Sequence, residues 1–322
     1  MCKDRGYIIT IGMLRRLIAV FMTLFVFFPW EATAISPMQA GQPDEIRLNV
    51  SIFSDGHMEG NNRTRFVNHA NAFRDISGAE TPVDAAVLVG DNTMNGQEVE
   101  YLILYGLMHR YLTVDNVLIT PGNHELCKEN EYDKYFRRFM QYNRDFYGYP
   151  NETAYFSRDI HGYKLIIMAT EADSKVQAYH SPEQLAWLKS ELAEAAAAGK
   201  PAFVFNHNPI DGKFQHKWPG ADVGPQGAEL DSILHSCSTQ VFYFSGHLHM
   251  GIYENGNGLT QEDNVVYVNV PGFGEECLYG DLIDAGMGWQ MEVYDDRVVL
   301  RLRNFAESRW VDGYTYTYAL TQ

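Results

Sequence analysis

The chain has 322 residues, 46% of them hydrophobic, and a formal net charge of −16. That length and apolar content suffice for one large core or two modest ones, while the acidic balance speaks against a nucleic-acid-binding surface, which needs a basic stripe. An anionic small substrate stays open, because bound divalent cations can set the field of a pocket against the global charge.

Residues 1–34 read as a secretory signal peptide. Lys3, Arg5, Arg15 and Arg16 form a basic lead, an apolar run from Leu17 to Phe28 follows, and Ala32-Thr33-Ala34 supplies a small-x-small cleavage pattern. The apolar run is short for a membrane span. The expectation is a secreted or periplasmic protein without stable membrane insertion once the segment is removed, and the alternative is an uncleaved anchor. Removal takes away four basic and two acidic residues and shifts the charge from −16 to −18. Beyond it lie a polar lead-in at 35–45 and a single domain at 46–322. Cys127, Cys237 and Cys277 are too few for a disulfide framework. Asn62-Arg63-Thr64 and Asn151-Glu152-Thr153 are glycosylation sequons, relevant only in a eukaryotic secretory pathway.

Residues 46–53 alternate as a strand, with Ile46, Leu48, Val50 and Ile52 on one face, and end in Ser54-Asp55-Gly56-His57. A helix is expected over 62–76, stopped at Ser77-Gly78. Residues 84–89 form a buried apolar strand whose exit is Gly90-Asp91. A helix over 97–111 presents Tyr101, Leu104, Tyr105 and Met108 on one face, as core. The strand 117–120 then stops at Pro121-Gly122, where the chain must turn, and delivers Asn123, His124 and Glu125 in succession. Residues 129–147 are expected to be helical and 147–150 a loop. A strand pair at 153–156 and 163–170 surrounds Asp159-Ile160-His161-Gly162. Ser181-Pro182-Glu183-Gln184 is a complete helix start. The strand 202–205 exits into Asn206-His207, a loop spans 211–227, and a short helix ends at His235. The strand 240–245 exits into Gly246-His247-Leu248-His249. A strand at 265–270 and a hairpin of 290–294 with 297–304 close the list.

Five strand ends thus carry Asp55/His57, Asp91, Asn123/His124, His207 and His247/His249. Strands interleaved with helices suggest α/β layering, in which sites form at the carboxyl ends of strands. Seven oxygen and nitrogen donors converging there suit two divalent ions with one bridging carboxylate. Asp, Asn and His ligands fit Zn, Mn, Fe or Ni alike.

The ordered set D-x-H, G-D, G-N-H-E, H, G-H-x-H resembles the calcineurin-like metallophosphoesterase superfamily over about residues 46–250. The resemblance implies a four-layer α/β/β/α sandwich with a two-metal centre. It implies Asp55, His57, Asp91 and His249 on the first ion, and Asp91, Asn123, His207 and His247 on the second. Asn123 and His124 would meet the substrate phosphate, with His124 protonating or stabilising the leaving oxygen. The helix carrying Gln184, Trp187 and Leu188 looks like the one this family places before its single-His strand. Purple acid phosphatases carry a tyrosinate three residues after the bridging Asp, where this chain has Met94, so no purple centre is expected. The reading is a hydrolase that cleaves phosphomonoesters or phosphodiesters of a small substrate with metal-activated hydroxide. The alternative is a non-catalytic scaffold retaining the fold. Specificity is expected in the loops 147–150, 211–227 and 272–284, and nothing in them indicates a leaving group or an oligomeric state.

Overall fold

The computed structural model describes residues 45–126, 130–149, 152–171, 177–214, 221–252, 258–274 and 285–320. The signal-peptide segment, nearly all of the lead-in, Cys127, Cys277, Asn151 of the second sequon and most of the 272–284 loop lie outside the described residues. No described helix is long and apolar enough to cross a membrane.

Among the described residues, twelve strands form two six-stranded sheets. In the first, β1 (Leu48–Phe53), β2 (Ala85–Val89) and β3 (Asn116–Thr120) are parallel neighbours. On the other side of β1 follow β10 (Met287–Val293), β11 (Arg297–Asn304) and β12 (Arg309–Ala319), all antiparallel. In the second sheet, β5 (Tyr163–Ile167), β6 (Ala202–Phe205), β7 (Val241–Ser245) and β9 (Val265–Asn269) are parallel. Its two edges, β4 (Phe156–Ile160) and β8 (Leu259–Glu262), run antiparallel to their neighbours.

The alternation of apolar residues decides which face meets which layer. Leu48, Val50, Val87, Trp289 and Leu300 from one sheet pack on Leu165, Phe203, Phe242 and Val266 from the other. The outer face of the first sheet, with Phe53, Leu88 and Ile119, is covered by α1 (Arg63–Ser77), α2 (Glu98–Tyr111) and α4 (Tyr132–Tyr147). The outer face of the second, with Val204 and Tyr243, is covered by α5 (Pro182–Ala197) and α6 (Gly227–His235). The one-turn helix α3 (Asn123–Leu126) follows β3 directly. This is the four-layer α/β/β/α sandwich expected.

Helix starts follow their capping residues. Asn62 Oδ1 accepts from Arg65 N at 3.2 Å, and Ser181 Oγ accepts from Gln184 N at 3.2 Å. Tyr101, Leu104, Tyr105 and Met108 are buried, as their helical spacing predicts. Three expectations need correction. The first strand of the pair around His161 lies at 156–160 rather than 153–156, because a two-residue turn at His161-Gly162 sets the register Ile160↔Tyr163. Tyr149, in the loop 147–150 where specificity was expected, is instead buried between the sheets as packing, with its ring 4.8 Å from Phe156. The strands β8 and β12 have no counterpart in the sequence reading; β12 alternates only half-buried tyrosines with exposed threonines, so no buried apolar run marks it.

Candidate metal centre

All five polar clusters emerge at one pole, the carboxyl ends of the parallel strands. Asp55 and His57 follow β1, Asp91 follows β2, Asn123 and His124 follow β3, His207 follows β6, and His247 and His249 follow β7. One donor atom each from Asp55, His57, Asp91 and His249 lies within 4.8 Å of the others, and the same holds for Asp91, His207 and His247. Asp91 is common to both groups.

Within the first group, His57 Nε2 stands 2.9 Å from His249 Nε2, and His249 Nε2 is 3.4 Å from Asp55 Oδ1. Within the second, His207 Nε2 lies 3.2 Å from Asp91 Oδ2 and 3.2 Å from His247 Nδ1. Imidazole nitrogens this close point lone pairs at a common space. His57 Nδ1 and Asn123 Oδ1 are buried with no hydrogen-bond partner among the described residues. A buried polar atom left unpaired is costly, and a cation would relieve it. The nitrogen and oxygen donors therefore fit divalent ions on chemical grounds.

Several of these groups are held in the protonation state that ligation requires. Burial pushes His57 down to about 4 and His247 down to about 3, so both imidazoles are neutral at neutral pH. Burial opposes the ionised form of Asp91, yet His207 and His124 hold its carboxyl well below the usual range. Burial also opposes the charged form of His207, but the Asp91 carboxylate raises it to about 9. That proton sits where a cation would otherwise balance Asp91. His207 Nδ1 donates to the Val89 carbonyl at 2.8 Å, which aims Nε2 at Asp91.

Backbone geometry brings the side chains inward. Asp55, His57, Asp91, His247 and His249 all have positive φ, between 44° and 68°, a region rare for residues with a Cβ. The motif glycines allow close approach. A Cβ on Gly122 would come within 2.1 Å of Asp91 Oδ1, and one on Gly246 within 2.6 Å of Asp55 Oδ2. Glycine is the residue that fits at either position.

His124 differs from the other histidines. Its backbone N–H donates to Asp91 Oδ1 at 2.8 Å, and its Nδ1 donates to the Met94 carbonyl at 2.5 Å. The ring is left with Nε2 facing the centre, 3.9 Å from Asp91 Oδ2, and its side chain is 33% exposed against 2% for His207. This is a group placed to meet a ligand from solvent.

Two supporting residues were given no role from the sequence. Glu125, fully buried, accepts from Thr93 N and Oγ1 at 2.6 Å and from Gly122 N at 2.9 Å, tying the loop after β2 to the one after β3. Its position beside His124 was the available signal. Arg65 on α1 donates to the His57 carbonyl at 2.8 Å; no local pattern announces a helix-to-loop contact. Of the expected specificity loops, 147–149 and 272–274 are described, as are 211–214 and 221–227 of the long one. Lys213 in that long loop reaches Asp231 and Glu262, away from the centre.

Comparison with known proteins agrees with this fold. A match to the family described as calcineurin-like phosphoesterase spans residues 48–251. A dimetal phosphatase from Danio rerio superposes with a TM-score of 0.60 at 13% identity, over 86% of this chain and 100% of that one. GAP50, described as the anchor in the inner membrane complex of Plasmodium, superposes with a TM-score of 0.58 at 13% identity, over 85% of this chain and 89% of that one. No curated protein matches by sequence.

Proposed function

Since the chain belongs to the calcineurin-like phosphoesterase family, we propose that its carboxyl-end pole is a two-ion centre hydrolysing phosphomonoesters or phosphodiesters of small molecules. The observation that carries the reading is the pair of donor groups sharing Asp91. Asp55, His57, Asp91 and His249 would hold one divalent ion, and Asp91, Asn123, His207 and His247 the other. When bound, two such ions lower the pKa of a shared water and polarise phosphoryl oxygens.

The protein's own groups do the rest. Two carboxylates facing neutral imidazoles and an amide leave the loaded centre positive, which favours a phosphate. His57 and His247, kept neutral by burial, need lose no proton to ligate. His124 is oriented by its Nδ1 bond to Met94, so in its protonated form Nε2 is the atom that delivers a proton to the leaving oxygen. Export through residues 1–34 is part of the same proposal.

The test is to strip the purified protein with chelator, reload it separately with Zn, Mn, Fe or Ni, and assay aryl and alkyl mono- and diesters. Turnover that appears with two ions per chain is the expected result. Two bound ions without turnover on any ester would sink the enzyme reading and leave the scaffold alternative.

A further inference from the structure

The two sheets expose four edge strands, and these are protected unequally. β3 and β4 have five residues each, and β4 carries Arg158 and Asp159. β8 has four residues and is covered by the Lys213 loop, through Thr260 Oγ1 to the Lys213 carbonyl at 3.1 Å and Lys213 Nζ to Glu262 at 2.6 Å. β12 is the outlier, with eleven residues. Short length, charge or cover is how a native sheet blunts the unpaired N–H and C=O groups of its edge.

On β12 such devices are confined to the beginning. Asp312, Gly313 with φ of 86°, and the register shift opposite Arg301 and Arg303 interrupt it between Trp310 and Thr315. From Gly313 to Leu320 there is no charged residue, no proline and an alternation of tyrosine with threonine, a sequence of high strand propensity. Tyr316 and Tyr318 lean inward on Trp289 and Phe242, at ring distances of 5.9 and 5.5 Å. Thr315, Thr317 and Ala319 are exposed, and among the described residues no strand pairs with the outer side of β12.

We propose that this edge pairs with a second copy of the chain, antiparallel about a two-fold axis at Tyr316, joining two six-stranded sheets into one. Residues opposite each other across an antiparallel pair must share a face. An axis at Tyr316 satisfies this, placing Thr315 opposite Thr317 and Tyr314 opposite Tyr318, both favourable cross-strand pairs. A chain of charge −16 repels its own copies, whereas the neutral run brings no like charges together at the contact. The proposal is independent of the catalytic reading.

The test is the mass of the full chain by analytical ultracentrifugation across a concentration series, with circular dichroism and melting as fold controls. The wild type is expected to double in mass as concentration rises. Thr315→Lys combined with Thr317→Lys sets lysine against lysine across the axis and should give a monomer at every concentration, with unchanged melting. Thr315→Lys combined with Thr317→Glu sets lysine against glutamate and should restore the dimer. A wild type that stays monomeric, a dimer that survives the Lys/Lys change, or a Lys/Glu variant that stays monomeric would each overturn the proposal.

Discussion

The chain contains the tripeptide Asp-x-His at Asp55-Gly56-His57 and again at Asp159-Ile160-His161, and the two have opposite fates. In the second, Asp159 Oδ1 accepts from Gly162 N at 2.8 Å and His161 Nε2 meets Asp84 Oδ1 at 3.1 Å. Both side chains are satisfied, the His161 side chain is 59% exposed, and its positive φ belongs to a two-residue hairpin turn. Nearby, Arg47, Asp84, Lys200 and Asp295 line a cleft of about 490 Å³ at the amino ends of the strands, and Arg47 binds Asp295 through two 2.8 Å bonds. In the first tripeptide both side chains are buried and turned inward by positive φ without a hairpin to account for it, and His57 Nδ1 has no partner among the described residues. A charged cleft whose groups are already paired has little left to offer a ligand. Strain and unsatisfied donors are what separate the carboxyl-end pole from it.

The sharpest way to break this contrast is at Asp91. Asp91→Ala should lose both ions and, with them, activity below detection, while His207→Ala should lose mainly one ion, by metal analysis of the reloaded variants. Equal losses would show that Asp91 does not bridge. The next effect in size separates chemistry from ligation. His124→Ala should keep both ions and the fold yet lose ~10²–10⁴ in turnover, the usual range for a positioned acid–base group. The loss should be larger for alkyl than for aryl esters, because a phenolate hardly needs a proton to leave. Equal losses would assign His124 to positioning the phosphate.

A third prediction asks whether burial of a histidine alone marks function. His180 is fully buried outside the centre, neither ring nitrogen has a partner among the described residues, and burial pushes it down to about 4. A base with a depressed folded pKa contributes stability that is complete above the unfolded value near 6.5 and lost as pH falls toward 4. Up to about 3 kcal/mol is at stake at His180 over that window. His180→Phe should therefore flatten the acid side of the stability curve of the chelated protein, measured by urea unfolding, with turnover at neutral pH kept. The smallest effect is expected at the second tripeptide. His161→Ala should change stability by less than about 1 kcal/mol, as for an exposed pair, and leave turnover unchanged; a defect in activity would remove the distinction between the two poles.

How much was legible locally differs from element to element. The strands at 85–89, 202–205 and 241–245 are buried on both faces and read as apolar runs ending in polar clusters, and 48–53 reads as an alternating strand with the same kind of ending. β12 was not legible, since its inner tyrosines are buried only by the other sheet and its outer residues face solvent. At the centre, the residue types and their order were plain, whereas the support from Glu125 and Arg65 was not, because each bridges loops that only folding brings together.

The sequence by itself determined the layering, through the period of its apolar residues, and the identity of the polar groups at each strand exit, through the glycines and prolines that end the strands. Tertiary structure decided that the first of the two Asp-x-His tripeptides is buried while the second is satisfied at the surface. It also decided that Asp91 stands between two groups of donors, and that Gly122 and Gly246 lie against the carboxylates of Asp91 and Asp55. These are distances between strands far apart in the chain. A linear pattern states which side chains are available, and only the packed sheets state which of them are left without a partner.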